Sequence, residues 1–90
     1  MKIEKIAWDQ DTSDHISRHA VWPEEVEEVL FNDSEVPRIM RGKEGRHLAY
    51  GKTNAGRYLF IVLIIANRKT RIITVRDMTD KEKKFYRRKK

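Results

Sequence analysis

The chain has 90 residues, no cysteine and a formal net charge of +6, which predicts one domain with a small core and excludes disulfides and cysteine-based metal sites. The charge is distributed unevenly, because residues 1–35 carry ten acids and three bases whereas residues 36–90 carry seventeen bases and four acids. Net charges of −7 and +13 in these two parts favour a polyanionic partner for the second part, and nucleic acid is the commonest such partner.

The N-terminal segment predicts a strand followed by a first helix. No apolar leader with a cleavage site begins the chain, so a cytoplasmic protein is expected. Residues 3–8 alternate weakly between apolar and polar side chains and predict a short edge strand. Residues 9–14 are rich in helix-capping types, which predicts a helix from near Ser13 to His19.

A second helix is predicted from Pro23 to Phe31. Proline suits the first helical position, and the two glutamates that follow it interact favourably with the positive end of the helix dipole. Four apolar residues recur at helical spacing and are expected to lie buried on a sheet: Trp22, Val26, Val29 and Leu30.

The second part of the chain predicts four strands, and its longest apolar run is the nine residues Tyr58–Ala66. This run is too short to cross a membrane, and its β-branched residues favour a strand that is buried on both faces. The polar residues 67–70 predict a hairpin loop after it. The predicted strands are Val36–Met40, Arg46–Lys52, Tyr58–Ala66 and Arg71–Asp77.

The last strand and the helix after it carry position-specific signals. Period-two geometry places Ile73 and Val75 on the face opposite to Ile72 and Arg76. Thr79 and the glutamate three residues later have the T-x-x-E spacing of a capping box, so a helix is predicted to begin at Thr79.

This order of elements predicts the α+β class: an antiparallel sheet with two N-terminal helices packed on it and a C-terminal helix. Runs of helices and runs of strands, rather than alternation, indicate helices packed on one sheet face. The strands Tyr58–Ala66 and Arg71–Asp77 are expected to pair antiparallel at the middle of the sheet. No repeat or linker divides residues 1–90, so one domain is predicted, with residues 87–90 as a disordered basic tail.

Few familiar catalytic or metal-binding patterns are present. The chain has no glycine-rich phosphate loop and no G-x-S-x-G motif. His15 and His19 lie four residues apart, but Ile16 occupies the place of the glutamate in the H-E-x-x-H zinc motif. With His47 as the only further imidazole, neither a metal site nor a cofactor is predicted.

Arginines on the predicted strands are the remaining candidates for chemistry. A guanidinium stays charged and binds phosphate oxygens in a bidentate way, so these residues suit phosphodiester binding and transition-state stabilisation. Arg76 is the most suggestive because it ends a strand immediately before a capped helix. For each arginine the alternative is a surface or ion-paired role. The five are Arg38, Arg46, Arg57, Arg71 and Arg76.

Tyr86 lies one helical turn after Glu82 and shares its helix face. A tyrosine there can stack on a base or transfer a proton, and it can equally belong to the core. Glu82 is expected to be a structural cap rather than a general base.

Short motifs along nearly the whole chain resemble, in order, the BrnT family of bacterial toxins. They are Trp8-Asp9, His19 before a turn and an acidic helix, Glu44-Gly45-Arg46 with Gly51 five residues on, Gly56–Leu59, the R-I-I-x-x-R pattern of residues 71–76, and the spacing of Thr79, Glu82 and Tyr86. Two of these motifs depart from the family pattern. The family's His-Gly is His19-Ala20 here, and its Ile-Ser-Ala-Arg is Ile73-Thr74-Val75-Arg76.

The resemblance implies a RelE-like fold and an endoribonuclease of a type II toxin–antitoxin module. It implies RNA cleavage without a metal, in which the 2′-hydroxyl attacks the neighbouring phosphate. The partner it implies is a ribbon-helix-helix antitoxin similar to BrnA, with a homodimer or a hetero-oligomer as the assembly. The roles it implies are phosphate and transition-state stabilisation for Arg46 and Arg76, proton transfer for His19 or Tyr86, and substrate binding for Arg57, Lys52 and Arg71.

A second class of function is a non-catalytic module of the same fold that binds nucleic acid or a protein. Convergence of titratable side chains with the arginines at one concave place is the feature that would favour the enzyme. A membrane partner is not predicted.

Overall fold

The computed structural model describes residues 3, 5–32 and 35–88, which form three helices and a four-stranded antiparallel sheet. In chain order the elements are α1 (Gln10–Ser17), α2 (Pro23–Leu30), β1 (Arg38–Arg41), β2 (Arg46–Lys52), β3 (Tyr58–Ala66), β4 (Lys69–Asp77) and α3 (Asp80–Arg87). The strands lie in the order β1-β2-β3-β4, so each strand pairs with its neighbours along the chain. The predicted α+β class and antiparallel sheet are confirmed.

β3 and β4 pair antiparallel as predicted, but of these two strands only β3 lies in the middle of the sheet. The prediction that β4 is also central is wrong, because β4 is the last strand. In the described part of the chain, its outer side meets only a single parallel bridge from Ile6 to Thr70. The backbones of Lys5 and Ala7 hydrogen-bond to Thr70 on either side of this bridge. Among the described residues, the edge strand expected over residues 3–8 is reduced to this contact.

α1 begins earlier than predicted because Asp9 caps it. The Asp9 carboxylate accepts a hydrogen bond of 2.8 Å from the backbone N–H of Thr12. This bond lowers the pKa of Asp9, since it stabilises the ionised carboxylate. α1 then ends at Ser17, so His19 lies in the turn after the helix.

α2 packs on one face of the sheet through Val26, Val29 and Leu30, which are buried as predicted. Trp22, expected to be buried with them, is 60% exposed. Its backbone is extended (φ −107°, ψ 150°) because it precedes the first helical residue, so its side chain does not continue the helical stripe. α2 approaches β2 so closely that a Cβ at Gly51 would lie 2.6 Å from Val29. Glycine therefore permits this contact.

The core lies between α1, α2 and one face of the sheet. Leu59, Ile61 and Leu63 of β3 are fully buried there, whereas the alternate residues of β3 on the other face are only partly buried. The prediction that β3 is buried on both faces is therefore wrong.

β4 contains one extra residue at Ile73. Its pairing with β3 shifts register between Ile72 and Thr74. As a result Ile72 and Val75 are both buried, while Ile73 is only partly so. The predicted separation of Ile72 from Val75 is wrong, because strict period-two alternation does not continue through a β-bulge.

The β3–β4 turn is shorter than the loop predicted over residues 67–70, because Lys69 and Thr70 already pair with β3 in β4. The turn uses Asn67 and Arg68, both with left-handed backbone (φ 52° and 64°), as a type I′ turn requires.

The start of α3 is where the sequence predicts it. Thr79 and Glu82 form the predicted capping box, with hydrogen bonds of 2.9 and 3.2 Å. Arg87 ends α3, so this residue of the expected tail is helical, and residues 89 and 90 lie outside the described part. Within that part, no helix has the length and apolar character needed to cross a membrane.

Candidate functional site

The sheet face opposite α1 and α2 carries most of the predicted site arginines and is called here the basic face. Directly paired residues in antiparallel strands point to the same side of a sheet. Leu59 and Ile61 point into the core, so the residues that alternate with them in β3, and the cross-strand partners of those residues, lie on the basic face. The cations placed on it by this register are Arg38, Arg46, Lys52, Lys69, Arg71 and Arg76.

A row of four side chains crosses the basic face: Arg38 of β1, Tyr50 of β2, Phe60 of β3 and Arg76 of β4. The ring centres of Tyr50 and Phe60 are 5.1 Å apart. The guanidinium carbon of Arg76 lies 4.4 Å from the centre of the Phe60 ring. Arg38 lies 3.9 Å from the ring centre of Phe85. Cation–π contacts therefore fix an arginine at each side of an aromatic floor.

α3 packs on one end of the basic face and not on the face that α1 and α2 cover. The Phe85 ring lies 4.9 Å from that of Tyr50, and the Tyr86 ring lies 6.0 Å from that of Tyr58. The expectation that the helices share one sheet face is therefore wrong for α3. Tyr86, a candidate for base stacking or proton transfer, is only 3% exposed. The structure thus places it in the contact between α3 and the sheet.

Arg76 is held in a bidentate ion pair by Glu82. Their two N–O distances are 2.8 and 2.9 Å, and Arg76 also donates to the backbone carbonyl of Asp77 at 3.1 Å. The hydrogen bonds from Arg76 hold the pKa of Glu82 below its ordinary value, and the same pair raises the pKa of Arg76. Glu82 therefore both caps α3 and orients the guanidinium.

Tyr50 lies beside this ion pair in the middle of the row. Burial raises the pKa of its phenol, and the nearby charge of Glu82 raises it further. The hydroxyl therefore stays protonated at neutral pH and is a neutral hydrogen-bond donor. A cleft of about 340 Å³ opens here, lined by Tyr50, Lys81, Glu82, Phe85 and Arg88. The sequence alone does not single out Tyr50, because only the strand register places it between Arg38 and Arg76.

Arg46 and Arg71 form a second cationic pair at the other end of the basic face. Both are cross-strand partners of Ile64, and both are exposed. Ile64 lies four residues from Phe60 along β3, which corresponds to about 13 Å. Arg46 and Arg76, predicted to stabilise one transition state, are therefore in different rows. Partly buried aliphatic residues separate the rows, so the basic face is an apolar strip with arginines at both ends.

Arg57 lies outside the basic face and joins the helices to the sheet. Its side chain donates to Asp77 at 2.8 and 3.2 Å and to Glu25 at 3.2 Å. It also donates to the backbone carbonyls of Ala20 at 2.6 Å and His19 at 3.2 Å. All five N–H groups of the guanidinium are used within the protein. The structure therefore gives this predicted substrate-binding residue a set of structural contacts.

The turn held by Arg57 contains one of the two departures from the BrnT pattern. Ala20 has a left-handed backbone (φ 57°), a conformation that glycine adopts more readily. The His-Gly of the family pattern fits this geometry. In this chain the hydrogen bonds from Arg57 to the turn offset the strain of an alanine there.

The remaining sequence candidates lie at separate places. Lys52 is on the basic face and forms an ion pair of 2.9 Å with Glu35, which raises the pKa of Lys52. His19 is exposed, and its ring centre lies 5.8 Å from that of His15. Within residues 3, 5–32 and 35–88, no group of three or more histidine and acidic side chains has the arrangement of a metal site.

Comparison with known proteins identifies the family. A family model described as "Ribonuclease toxin, BrnT, of type II toxin-antitoxin system" matches residues 8–82. The chain is also similar to the crystal structure of the Brucella abortus ribonuclease toxin BrnT, at 1.1 Å resolution, with 19% sequence identity and a TM-score of 0.66. That match covers 84% of this chain and 97% of the other and shows a shared fold. No curated protein sequence matches. Since the family model spans most of its length, the chain belongs to the BrnT family of ribonuclease toxins of type II toxin–antitoxin systems.

Proposed function

We propose that this protein is an endoribonuclease that cleaves RNA at the basic face without a metal ion. In the proposed reaction, the 2′-hydroxyl of one nucleotide attacks the adjacent phosphorus and the bond from phosphorus to the 5′-oxygen breaks. The products are a 2′,3′-cyclic phosphate and a 5′-hydroxyl. The observation that carries the proposal is the row of Arg38, Tyr50, Phe60 and Arg76, which combines fixed cations with an aromatic floor.

Arg76 is proposed to stabilise the transition state rather than to bind the ground state. Its guanidinium is already paired with Glu82, so a singly charged phosphodiester gains little by competing for it. The phosphorane that forms during attack carries more negative charge and competes better. An interaction that strengthens only in the transition state raises the rate without raising affinity.

The other site residues are proposed to divide into binding and positioning roles. Arg46 and Arg71 are exposed and suit phosphates of the same RNA strand beyond the cleaved bond. To bind RNA, Lys52 would have to replace its ion pair with Glu35 by one with a phosphate. His19 is proposed as one source of a proton. Tyr86 and Arg57 are proposed to act indirectly. The side chain of Tyr86 is buried between α3 and the sheet, and the guanidinium of Arg57 is fully hydrogen-bonded within the protein.

The family implies an antitoxin partner, and we propose a ribbon-helix-helix antitoxin similar to BrnA. Such an antitoxin would mask the basic face with carboxylates, or would dock elsewhere and block access sterically. A hetero-oligomer with it, or a homodimer of the toxin, is the proposed assembly. A cytoplasmic location is proposed because both RNA and the antitoxin would be met there.

Single-turnover cleavage of a defined RNA, run beside a binding titration, tests the role of Arg76. We expect Arg76→Ala to lower the cleavage rate about 10²–10³-fold, or about 2.7–4 kcal/mol, with little change in RNA affinity. Arg76→Lys should recover only part of the rate, because a point charge does not reproduce the guanidinium fork. Thermal melts check that each variant is folded.

Arg18→Ala is the matched control, because Arg18 is an exposed arginine that follows α1 outside the basic face. It should keep the wild-type rate. Full cleavage by a folded Arg76→Ala protein would remove Arg76 from the site. If Arg76→Ala lowers the cleavage rate and the RNA affinity together and only modestly, the role of Arg76 is limited to phosphate binding.

The second candidate function is a non-catalytic module that binds RNA or a protein. The ion pair between Arg76 and Glu82 favours it, because a satisfied arginine needs no substrate to explain its position. The absence of cleavage by the wild type under all conditions, with ribosomes included, would support this alternative.

A further inference from the structure

We propose that His15 is the general acid of the RNA cleavage reaction, a proposal that rests on the proposed ribonuclease function at the basic face. In the sequence, His15 appears only as half of an incomplete zinc motif. The structure brings it to the border of the basic face, where it meets a residue 59 positions away in the chain.

The position of His15 follows from the packing of α1 beside the outer strand β4. Ile16 is fully buried in the core and fixes the rotation of the helix. The preceding residue, His15, then reaches the edge of β4, where its Nε2 atom lies 3.1 Å from Oγ1 of Thr74. Thr74 is the cross-strand partner of Val62, which places its side chain on the basic face. The imidazole therefore reaches this face around the edge of the sheet.

Thr74 lies between the two arginines that β4 contributes to the basic face. Arg76 is two residues further along the strand on the same face, a separation of about 7 Å between Cα atoms. Arg71 lies on the other side of the bulge. The imidazole thus borders the path of an RNA strand that places its cleaved phosphate at Arg76 and a further phosphate at Arg71. This is the convergence of a titratable side chain with arginines that distinguishes an enzyme from a binding module.

The hydrogen bond to Thr74 suits a group that gains and loses a proton. A hydroxyl accepts from Nε2 when that nitrogen is protonated and donates to it when it is not. The ring therefore keeps its partner in both states, and it remains exposed to a substrate. Its ring centre lies 5.8 Å from that of His19 in the following turn. The charged residues of the two elements that meet at this contact are Asp11 and Asp14 on α1 and Lys69, Arg71, Arg76 and Asp77 on β4.

In the proposed step the 2′-oxygen forms a bond to phosphorus and loses its proton to solvent hydroxide, which becomes water, and the bond from phosphorus to the 5′-oxygen breaks. The departing 5′-oxygen takes the electron pair of that bond and receives a proton from His15. His15 is assigned the acid role because its Nε2 atom, held at Thr74, is the imidazole nitrogen at the border of the basic face. His19, with its ring 5.8 Å away, is placed to return the proton between turnovers.

The other imidazole of the chain provides a matched control. His47 of β2 pairs with Leu63 and Arg41, so it lies on the core side of the sheet, away from the basic face. Its Nδ1 atom is buried without a hydrogen-bond partner among the described residues. His47→Gln should therefore leave cleavage unchanged.

Two substrates test the assignment: a defined RNA with an ordinary 5′-oxygen at the cleavage site, and the same RNA with sulfur in that bridging position. A thiolate departs without protonation, so loss of a general acid slows cleavage of the first substrate and not of the second. We expect His15→Gln, which can still hydrogen-bond to Thr74, to slow the oxygen substrate about 10²-fold or more. The His15→Gln variant should cleave the sulfur substrate at nearly the wild-type rate. Binding of a non-cleavable 2′-deoxy analogue should be unchanged.

Two further measurements separate chemistry from structure. Free imidazole should restore part of the rate of His15→Ala on the oxygen substrate. Thr74→Val, which removes the hydrogen bond but keeps the shape, should move the pH–rate profile, whereas Thr74→Ser should not.

Wild-type rates for His15→Gln on the oxygen substrate, or an equal defect on both substrates, would overturn the assignment while leaving the ribonuclease proposal intact. Failure of the wild type to cleave either substrate is a distinct result. It would refute the proposed function, and the assignment of His15 with it.

Discussion

Arg57 and Arg76 are both ion-paired arginines near the same end of β4, and their surroundings give them different uses. The guanidinium of Arg57 faces two carboxylates and two carbonyls on the core side of the sheet, where every N–H has a partner. The guanidinium of Arg76 faces one carboxylate and an aromatic ring on the basic face, beside an open cleft. Both residues carry the same charge, but only Arg76 is placed to exchange its partner for a phosphate.

The ion pair of Asp77 with Arg57 makes stability depend on pH in the acid range. The hydrogen bonds from Arg57 hold the pKa of Asp77 below its ordinary value of 3.8. A carboxyl with a lowered folded-state pKa adds stability above its unfolded-state pKa, and this stability is lost as the pH falls through the folded-state pKa. We expect Asp77→Asn to lower the urea midpoint at neutral pH, with the difference from wild type shrinking as the pH falls below 3.8.

Urea titrations at a series of pH values measure this difference. Glu44→Gln, which removes a carboxylate from the exposed β1–β2 turn, is the control and should leave the midpoint unchanged at every pH. A deficit of Asp77→Asn that stays constant down to the most acid pH would show that the charge of Asp77 is not responsible.

At the scale of the element, α2 offers a direct comparison between a buried and an exposed apolar residue. Leu30 is 6% exposed and packs in the core, whereas Trp22 is 60% exposed at the start of the helix. Leu30→Ala should lower the free energy of unfolding by about 2–5 kcal/mol, because it leaves a cavity. Trp22→Ala should change it by about 0.5 kcal/mol or less, as is usual for surface positions. Denaturant unfolding measures both, and a larger loss for Trp22→Ala would contradict the packing described.

Elements specified by residues close together in the chain were predictable from the sequence. The structure differs from the prediction where no such short-range pattern specifies it. The capping box at Thr79 is specified by residues three positions apart, and it forms as predicted. The bulge at Ile73 has no comparable signal, because β-branched residues run through it and alternation alone cannot show an extra residue. Trp22 fits the helical spacing, but spacing does not reveal that its own backbone is extended.

The candidate site was predictable in its residue types and not in its grouping. Because a guanidinium binds phosphate oxygens in a bidentate way, the arginines on the predicted strands were expected to form the site. Four of these five arginines lie on one face of the sheet. Which of them are neighbours depends on the strand register, which places Arg38 and Arg76 in one row and Arg46 in another. The contact of His15 with Thr74 depends on the docking of α1 on β4, which no local pattern encodes.

At the scale of the whole molecule, the uneven charge should appear in the salt dependence of RNA binding. Three arginines of the basic face have no carboxylate partner within the part of the chain that the structure describes and can each neutralise a phosphate in the ground state: Arg38, Arg46 and Arg71. For a single strand this predicts a slope of about −2 in a plot of log affinity against log salt concentration. Arg71→Ala should make the slope less steep by about 0.7.

Fluorescence anisotropy with a labelled single-stranded RNA, from low to physiological salt, measures these slopes. Arg18→Ala removes the same charge from outside the basic face and should keep the wild-type slope. An affinity that stays flat as the salt concentration rises would contradict binding through these arginines.

The sequential order of the strands has a consequence for the synthesis of the protein. The ribosome makes α1 and α2 before the strands, so the apolar residues of α2 lack their partners on the sheet until β2 and β3 follow. Asp77, which fastens the helices to the sheet through Arg57, comes near the end of β4. A nascent chain that stops before Thr79 has neither α3 nor the carboxylate that orients Arg76. The basic face is therefore assembled only after β4 and α3 have been made.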